Sequence, residues 1–129
     1  MKRVLIYILV FIIHINNHAY SQNCELDSFS ITINSFDDTA KVAALIEFYS
    51  KCEQNNIQEG LPFLDKANEI AKQIDNEKWV AKVYMKYGNF YNITGQYDKA
   101  IDYYERSQLI FNKYGLYRDE GAAYNNLGS

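Results

Sequence analysis

The chain has 129 residues, 48% hydrophobic and 22% charged, with 13 basic and 16 acidic residues and a formal charge of −3. That length and composition suit one small globular domain, and an acidic balance with no basic stripe argues against nucleic acid or an anionic membrane surface as partner. A single proline argues against a linker-rich chain, and twelve tyrosines point to a core of rings whose hydroxyls stay at its edge.

Lys2 and Arg3 precede an apolar run from Val4 to Ile13, and a polar stretch ending Ala19-Tyr20-Ser21 puts small residues three before and one before a cut. This predicts a signal peptide over 1–21, a mature chain beginning at Gln22, and a periplasmic or cell-envelope destination. His14, Asn16, Asn17 and His18 interrupt the run short of the roughly 20 apolar residues a membrane span needs. A lipoprotein signal ending at Cys24 would want a small residue where Asn23 stands.

Cleavage would remove both histidines of the chain. Without Lys2 and Arg3, 11 basic residues face 16 acidic ones, a formal charge of −5. Cys24 and Cys52 would reach a compartment where disulfides persist. The spacing leaves two alternatives open: a disulfide that staples the leader to the first helix, or two unpaired thiols with Cys52 as a small buried helical residue.

Residues 22–36 show no helical period, and the alternation in SFSITINSF predicts an extended leader or a short strand. Asp37, Asp38 and Thr39 supply cap residues before Val42, Leu45, Ile46 and Tyr49, predicting a helix from about Asp38 to Gln54. A second helix is expected from about Gln58 to Ile74, with Gly60, Leu64, Ala67, Ala71 and Ile74 on one face and Pro62 in its first turn.

A fixed offset of 40 residues then relates Gly60 to Ala100, Leu64 to Tyr104, Ile70 to Ile110, Tyr84 to Tyr124 and Gly88 to Gly128. It divides the chain into a degenerate repeat over 37–76, a full repeat over 77–116, and the start of a further repeat over 117–129. The period carries the expectation that each second helix is the longer one. Tyr84, Tyr87 and Tyr91 form one stripe of the middle repeat's first helix. Tyr97, Ala100, Ile101, Tyr104, Gln108 and Phe111 form the facing stripe, and Asn92–Gln96 is the connection, with Gly95 placed to end a helix.

The run Tyr84, Tyr87-Gly88, Tyr91, then Ala100 and Tyr104, fits W-x2-L-G-x2-Y followed by A-x3-F with aromatic stand-ins. It resembles the tetratricopeptide repeat family. The resemblance implies an all-α solenoid of antiparallel helix-turn-helix repeats, truncated at its C-terminus with further repeats missing. It also implies a non-catalytic scaffold that binds a protein or peptide segment, of the kind found in exported bacterial proteins. In such stacks the first helices line a groove, here with Lys82, Met85, Lys86, Asn89 and Asn92, then Asn125 and Asn126. By resemblance, Asn89 and Asn126 match asparagines that hold a peptide's terminal carboxylate, whereas Met85 stands where those domains place a lysine.

Catalytic patterns are sparse. A mature chain without histidine has no Ser-His-Asp or Cys-His arrangement and lacks the commonest nitrogen ligand for zinc. Phosphate-loop and calcium-loop motifs are absent too. No enzyme activity, cofactor, metal site or membrane span of the mature segment is therefore expected. Two readings of other classes remain beside the scaffold: the exported sensor region of a histidine kinase or transcriptional regulator, and a structural component of the envelope.

Overall fold

A computed structural model describes residues 33–54 and 56–116. The predicted signal peptide, Cys24, most of the predicted leader, and the expected start of a third repeat with Asn125 and Asn126 lie outside the described residues. Four α-helices follow one another: α1 (Asp38–Glu53), α2 (Ile57–Gln73), α3 (Glu77–Ile93) and α4 (Tyr97–Lys113). Among the described residues the architecture is all-α, two antiparallel helical hairpins, with α3 packed on α2 and also touching α1.

Two of the four helices, α1 and α3, begin on a side-chain cap, whereas Asn56 before α2 and Gln96 before α4 make no capping bond. Asp37 accepts the N–H of Ala40 at 2.9 Å, and Asn76 accepts that of Trp79 at 3.3 Å. They end by one device used three times. Asp75, Gly95 and Gly115 take positive φ of 51°, 76° and 66°. The next residue's N–H then reaches back five positions: Asn76 to Ala71, Gln96 to Tyr91, and Leu116 to Phe111, at 3.0, 2.8 and 2.9 Å. This is the Schellman closure, in which a left-handed residue satisfies the last carbonyls of a helix.

Those three positions are 20 residues apart, as are the starts of α2, α3 and α4. The repeat of 40 is thus two equal strokes of 20. Within the α3–α4 hairpin the second helix is not the longer one: α2, α3 and α4 have 17 residues each, so both helices share the period equally. The connection is also shorter than expected, because α3 continues through Asn92 to Ile93 and leaves Thr94–Gln96 to turn.

Two other expectations are corrected. Pro62 sits in the second turn of α2, which begins at Ile57, so the carbonyl of Gln58 loses its usual i+4 donor. The leader, at its described end, is not extended: Ile33 is helical, and the N–H of Phe36 donates to its carbonyl at 3.1 Å.

The core runs through all four helices. Val42, Leu45, Tyr49 and Cys52 of α1 meet Phe63, Leu64, Ala67, Ile70 and Ala71 of α2, with Phe48 and Phe63 rings 4.5 Å apart. Tyr49 covers Gly60, where an added Cβ would sit 3.0 Å from both Tyr49 Cδ2 and Cys52 Cβ. In the second hairpin the ring of Tyr104 lies over Gly88, where a Cβ would fall 2.5 Å from Cδ1 and closer still to Cε1. The buried stripe of α4 is Ala100, Tyr104, Ser107 and Phe111, with Tyr103 partly buried beside it. Tyr97 and Ile101, expected there, are 64% and 44% exposed. The stripe is turned because Ser107 carries its own buried partner, donating to the carbonyl of Ala81 at 2.9 Å.

Candidate functional site

The outward face of α3 follows from its spacing. Lys82, Met85, Lys86, Asn89 and Asn92 fall at i, i+3, i+4, i+7 and i+10, opposite the buried Val80, Val83, Tyr87 and Phe90, and all five are half-buried. The structure brings these sequence-predicted residues together on one surface where α3 meets α1. Lys86 Nζ reaches Glu53 Oε2 of α1 at 3.8 Å, both side chains about one-fifth exposed. Lys82 places its ammonium 4.5 Å from the centre of the Trp79 ring.

Asn89 faces inward with its oxygen, which accepts the hydroxyl of Tyr104 at 2.7 Å. One of the two groups expected to meet a partner's backbone is therefore held by the core tyrosine that fills Gly88. Beneath the same surface lies Tyr49, fully buried, whose hydroxyl has no hydrogen-bond partner among the described residues. Burial first, and the nearby Glu53 carboxylate second, push the Tyr104 phenol up to about 12 and the Tyr49 phenol higher still. Both rings stay neutral at any ordinary pH, so they serve as hydrogen-bonding and packing groups and not as bases.

On the other side of α3, Tyr84, Tyr87 and Tyr91 close around Tyr103 of α4, with centroids 5.5, 5.0 and 5.5 Å from its ring. Tyr87 donates its hydroxyl to Asp65 of α2, tying the two hairpins together, and burial with that bond drives its phenol far upward. Lys72, Lys99 and Arg106 each lie over a ring of this group, at 5.8, 5.1 and 5.7 Å. Tyr103 and Asp65 were not legible as members, because each lies one residue off the apolar stripe that spacing picks out. Arg106 pairs with Asp102 at 2.9 Å along an exposed face.

Cys52 is fully buried and disulfide-bonded; Cys24 is the chain's other cysteine. Among the described residues no group of three or more His, Cys, Asp or Glu is placed to hold a metal, and no helix is long and apolar enough to cross a membrane. The surface offers mixed amides, two ammonium groups and a thioether, a chemistry suited to holding a polypeptide.

A family model described as tetratricopeptide repeat matches residues 79–129, from early α3 to the last residue given. No curated protein and no solved structure matched the chain. The family match and the helical hairpins agree with each other, and repeats of this family generally mediate binding between proteins without catalysis.

Proposed function

We propose that this chain is an exported, non-catalytic scaffold, acting in the periplasm or cell envelope, that holds an extended segment of a partner protein on the joint face of α1 and α3. The observation that carries this reading is the coherent half-buried row Lys82, Met85, Lys86, Asn89 and Asn92, linked to α1 through Lys86 and Glu53. In sequence, the offset of 40 puts Asn125 and Asn126 in register with Met85 and Lys86. Half-burial is what supports the role: side chains ordered by neighbours lose less entropy on binding than free ones. The signal-like start of the sequence supports export.

A photo-crosslinking residue at Met85 tests the reading in the native envelope, against the same probe at Glu69, which is exposed on α2. Capture of a defined protein from position 85 and not from 69 is expected. Equal capture from both, or capture from 69 alone, would place the interaction elsewhere.

A further inference from the structure

Six of the ten cations among the described residues pair with a carboxylate. The other four, Lys72, Lys78, Lys82 and Lys99, lie over aromatic rings and have no carboxylate partner among those residues. Two of these four share one helix face with a third lysine. Lys78, Lys82 and Lys86 fall at i, i+4 and i+8 of α3, Lys78 exposed and one turn ahead of the half-buried row to which Lys82 and Lys86 belong. Glu77, next to Lys78, is taken by Lys113 at 2.6 Å and Tyr114 at 2.8 Å. Lys86 has Glu53 at 3.8 Å, beyond hydrogen-bond reach and the longest of the six ion pairs. A chain of formal charge −3 thus keeps positive charge along the outer face of α3.

We propose, resting on the reading of the α1–α3 face as the binding site, that the segment held there is extended and acidic, with Asp or Glu at every second residue, and that Lys78, Lys82 and Lys86 receive three successive carboxylates.

Spacing supports the match. Four residues of helix rise about 6 Å, and two residues of an extended strand about 6.6 Å, so alternate side chains of a strand laid along α3 keep step with the three lysines. A ring beneath an ammonium also limits its swing. Lys82 stands 4.5 Å from the centre of Trp79 and Lys78 stands 5.0 Å from that of Tyr114, so an arriving carboxylate meets charges already placed. Met85, between Lys82 and Lys86, adds an adaptable apolar contact that suits a polypeptide. Three lysines fall short of the clustered basic patch that a nucleic acid needs.

The test offers the exported full-length gene product, carrying the photo-crosslinking residue at position 85, three labelled hexapeptides: alternating Glu-Ala, alternating Gln-Ala, and a block of three Glu followed by three Ala. All are acetylated and amidated, which keeps terminal charges out of the comparison. Capture of the alternating acidic peptide should exceed that of either other at least tenfold. It should fall at least tenfold in Lys78→Gln/Lys82→Gln and in about 0.5 M salt, with helical circular dichroism unchanged. Lys72→Gln/Lys99→Gln, which removes the other two lysines that lie over rings, should leave capture within about twofold. Equal capture of the Gln peptide would overturn the proposal. So would equal capture of the block peptide, which means attraction without register, or equal losses in the two double variants, which mean an effect of net charge alone. If a native protein is captured from position 85 while the acidic peptide is not, this inference falls and the α1–α3 site stands; if position 85 captures neither, both fall.

Discussion

The two hairpins solve one packing problem in opposite ways. In α1–α2 the large ring belongs to the first helix and the small residue to the second, Tyr49 over Gly60; in α3–α4 the small residue comes first, Gly88 beneath Tyr104. Across the offset of 40, Leu64 corresponds to Tyr104, Tyr49 to Asn89, and Ala67 to Ser107. What the repeat conserves is the closeness of two backbones, which needs one large and one small partner, and it leaves free which helix supplies each. Polar satisfaction differs as a result: the Tyr104 hydroxyl has Asn89, and Ser107 has the carbonyl of Ala81, whereas the Tyr49 hydroxyl has no partner among the described residues.

The largest test of this comparison is to fill both holes. A methyl group at Gly88 would overlap a ring that is tied down at its hydroxyl, so Gly88→Ala should cost about 2 to 3 kcal/mol in urea unfolding, toward the upper end of overpacking effects. Gly60→Ala meets its neighbours at 3.0 Å, and the gain in helix propensity of about 1 kcal/mol offsets much of the strain. A net change under about 1 kcal/mol is expected there. Lys86→Leu, on the α1–α3 face, should also stay under about 1 kcal/mol. Equal losses at the two glycines would mean that the hairpins do not differ in tightness.

Alkaline pH comes next. The phenols of Tyr49, Tyr87 and Tyr104 are raised above the usual value of 10, chiefly by burial. The unfolded chain therefore releases these protons first, and their contribution is whole below pH 10 and is lost as pH rises, for Tyr104 through about 12. Denaturation midpoints should fall as pH rises from 10 toward about 12, and Tyr49→Phe or Tyr104→Phe should each flatten that fall. At neutral pH the two substitutions should part. Tyr104→Phe breaks a bond to Asn89 and should cost about 1 kcal/mol, whereas Tyr49→Phe removes an unpaired buried hydroxyl and should be neutral or stabilising by up to about 1 kcal/mol. A matching loss at Tyr49 would show that its hydroxyl is satisfied after all.

Much of the fold was open to sequence reading because it rests on periodicity. The bounds of α1 and α2 came within a residue or two, and the offset of 40 marked the hairpins. What stayed hidden depends on rotation about a helix axis. Tyr97 and Ile101 read as core by hydrophobicity, but the polar Ser107 is what lies at the centre of the contact, held by a carbonyl 26 residues away that no local pattern reveals. Lys82, Met85, Lys86, Asn89 and Asn92 share one half-buried face of α3, as their spacing on a helix requires. That Asn89 turns its oxygen to Tyr104 was not visible, because the bond follows from which helix donates the large ring.

The smallest expected effect concerns the turns, where the two hairpins differ by one residue type. Asp75, between α2 and α3, holds φ at 51°, while Gly95, between α3 and α4, holds 76° in the same closure. An L-residue in that region is strained by about 1 to 2 kcal/mol, less for Asp than for most. Asp75→Gly should therefore stabilise the protein by about 0.5 kcal/mol, the relief being reduced by the greater freedom glycine has in the unfolded chain. The converse, Gly95→Ala, is a backbone test with little else in it, since an added Cβ meets nothing within 4 Å. It should cost about 1 kcal/mol. Asp75 also supplies negative charge near Lys113 and Tyr114, at an exposed site where solvent screens it. Asp75→Asn separates the two effects, because it keeps a side chain that tolerates positive φ and removes only the charge. If thermal unfolding shows Asp75→Gly to be destabilising while Asp75→Asn is neutral, the aspartate does something in the turn beyond its charge, and the equivalence of the 20-residue strokes breaks at their first junction.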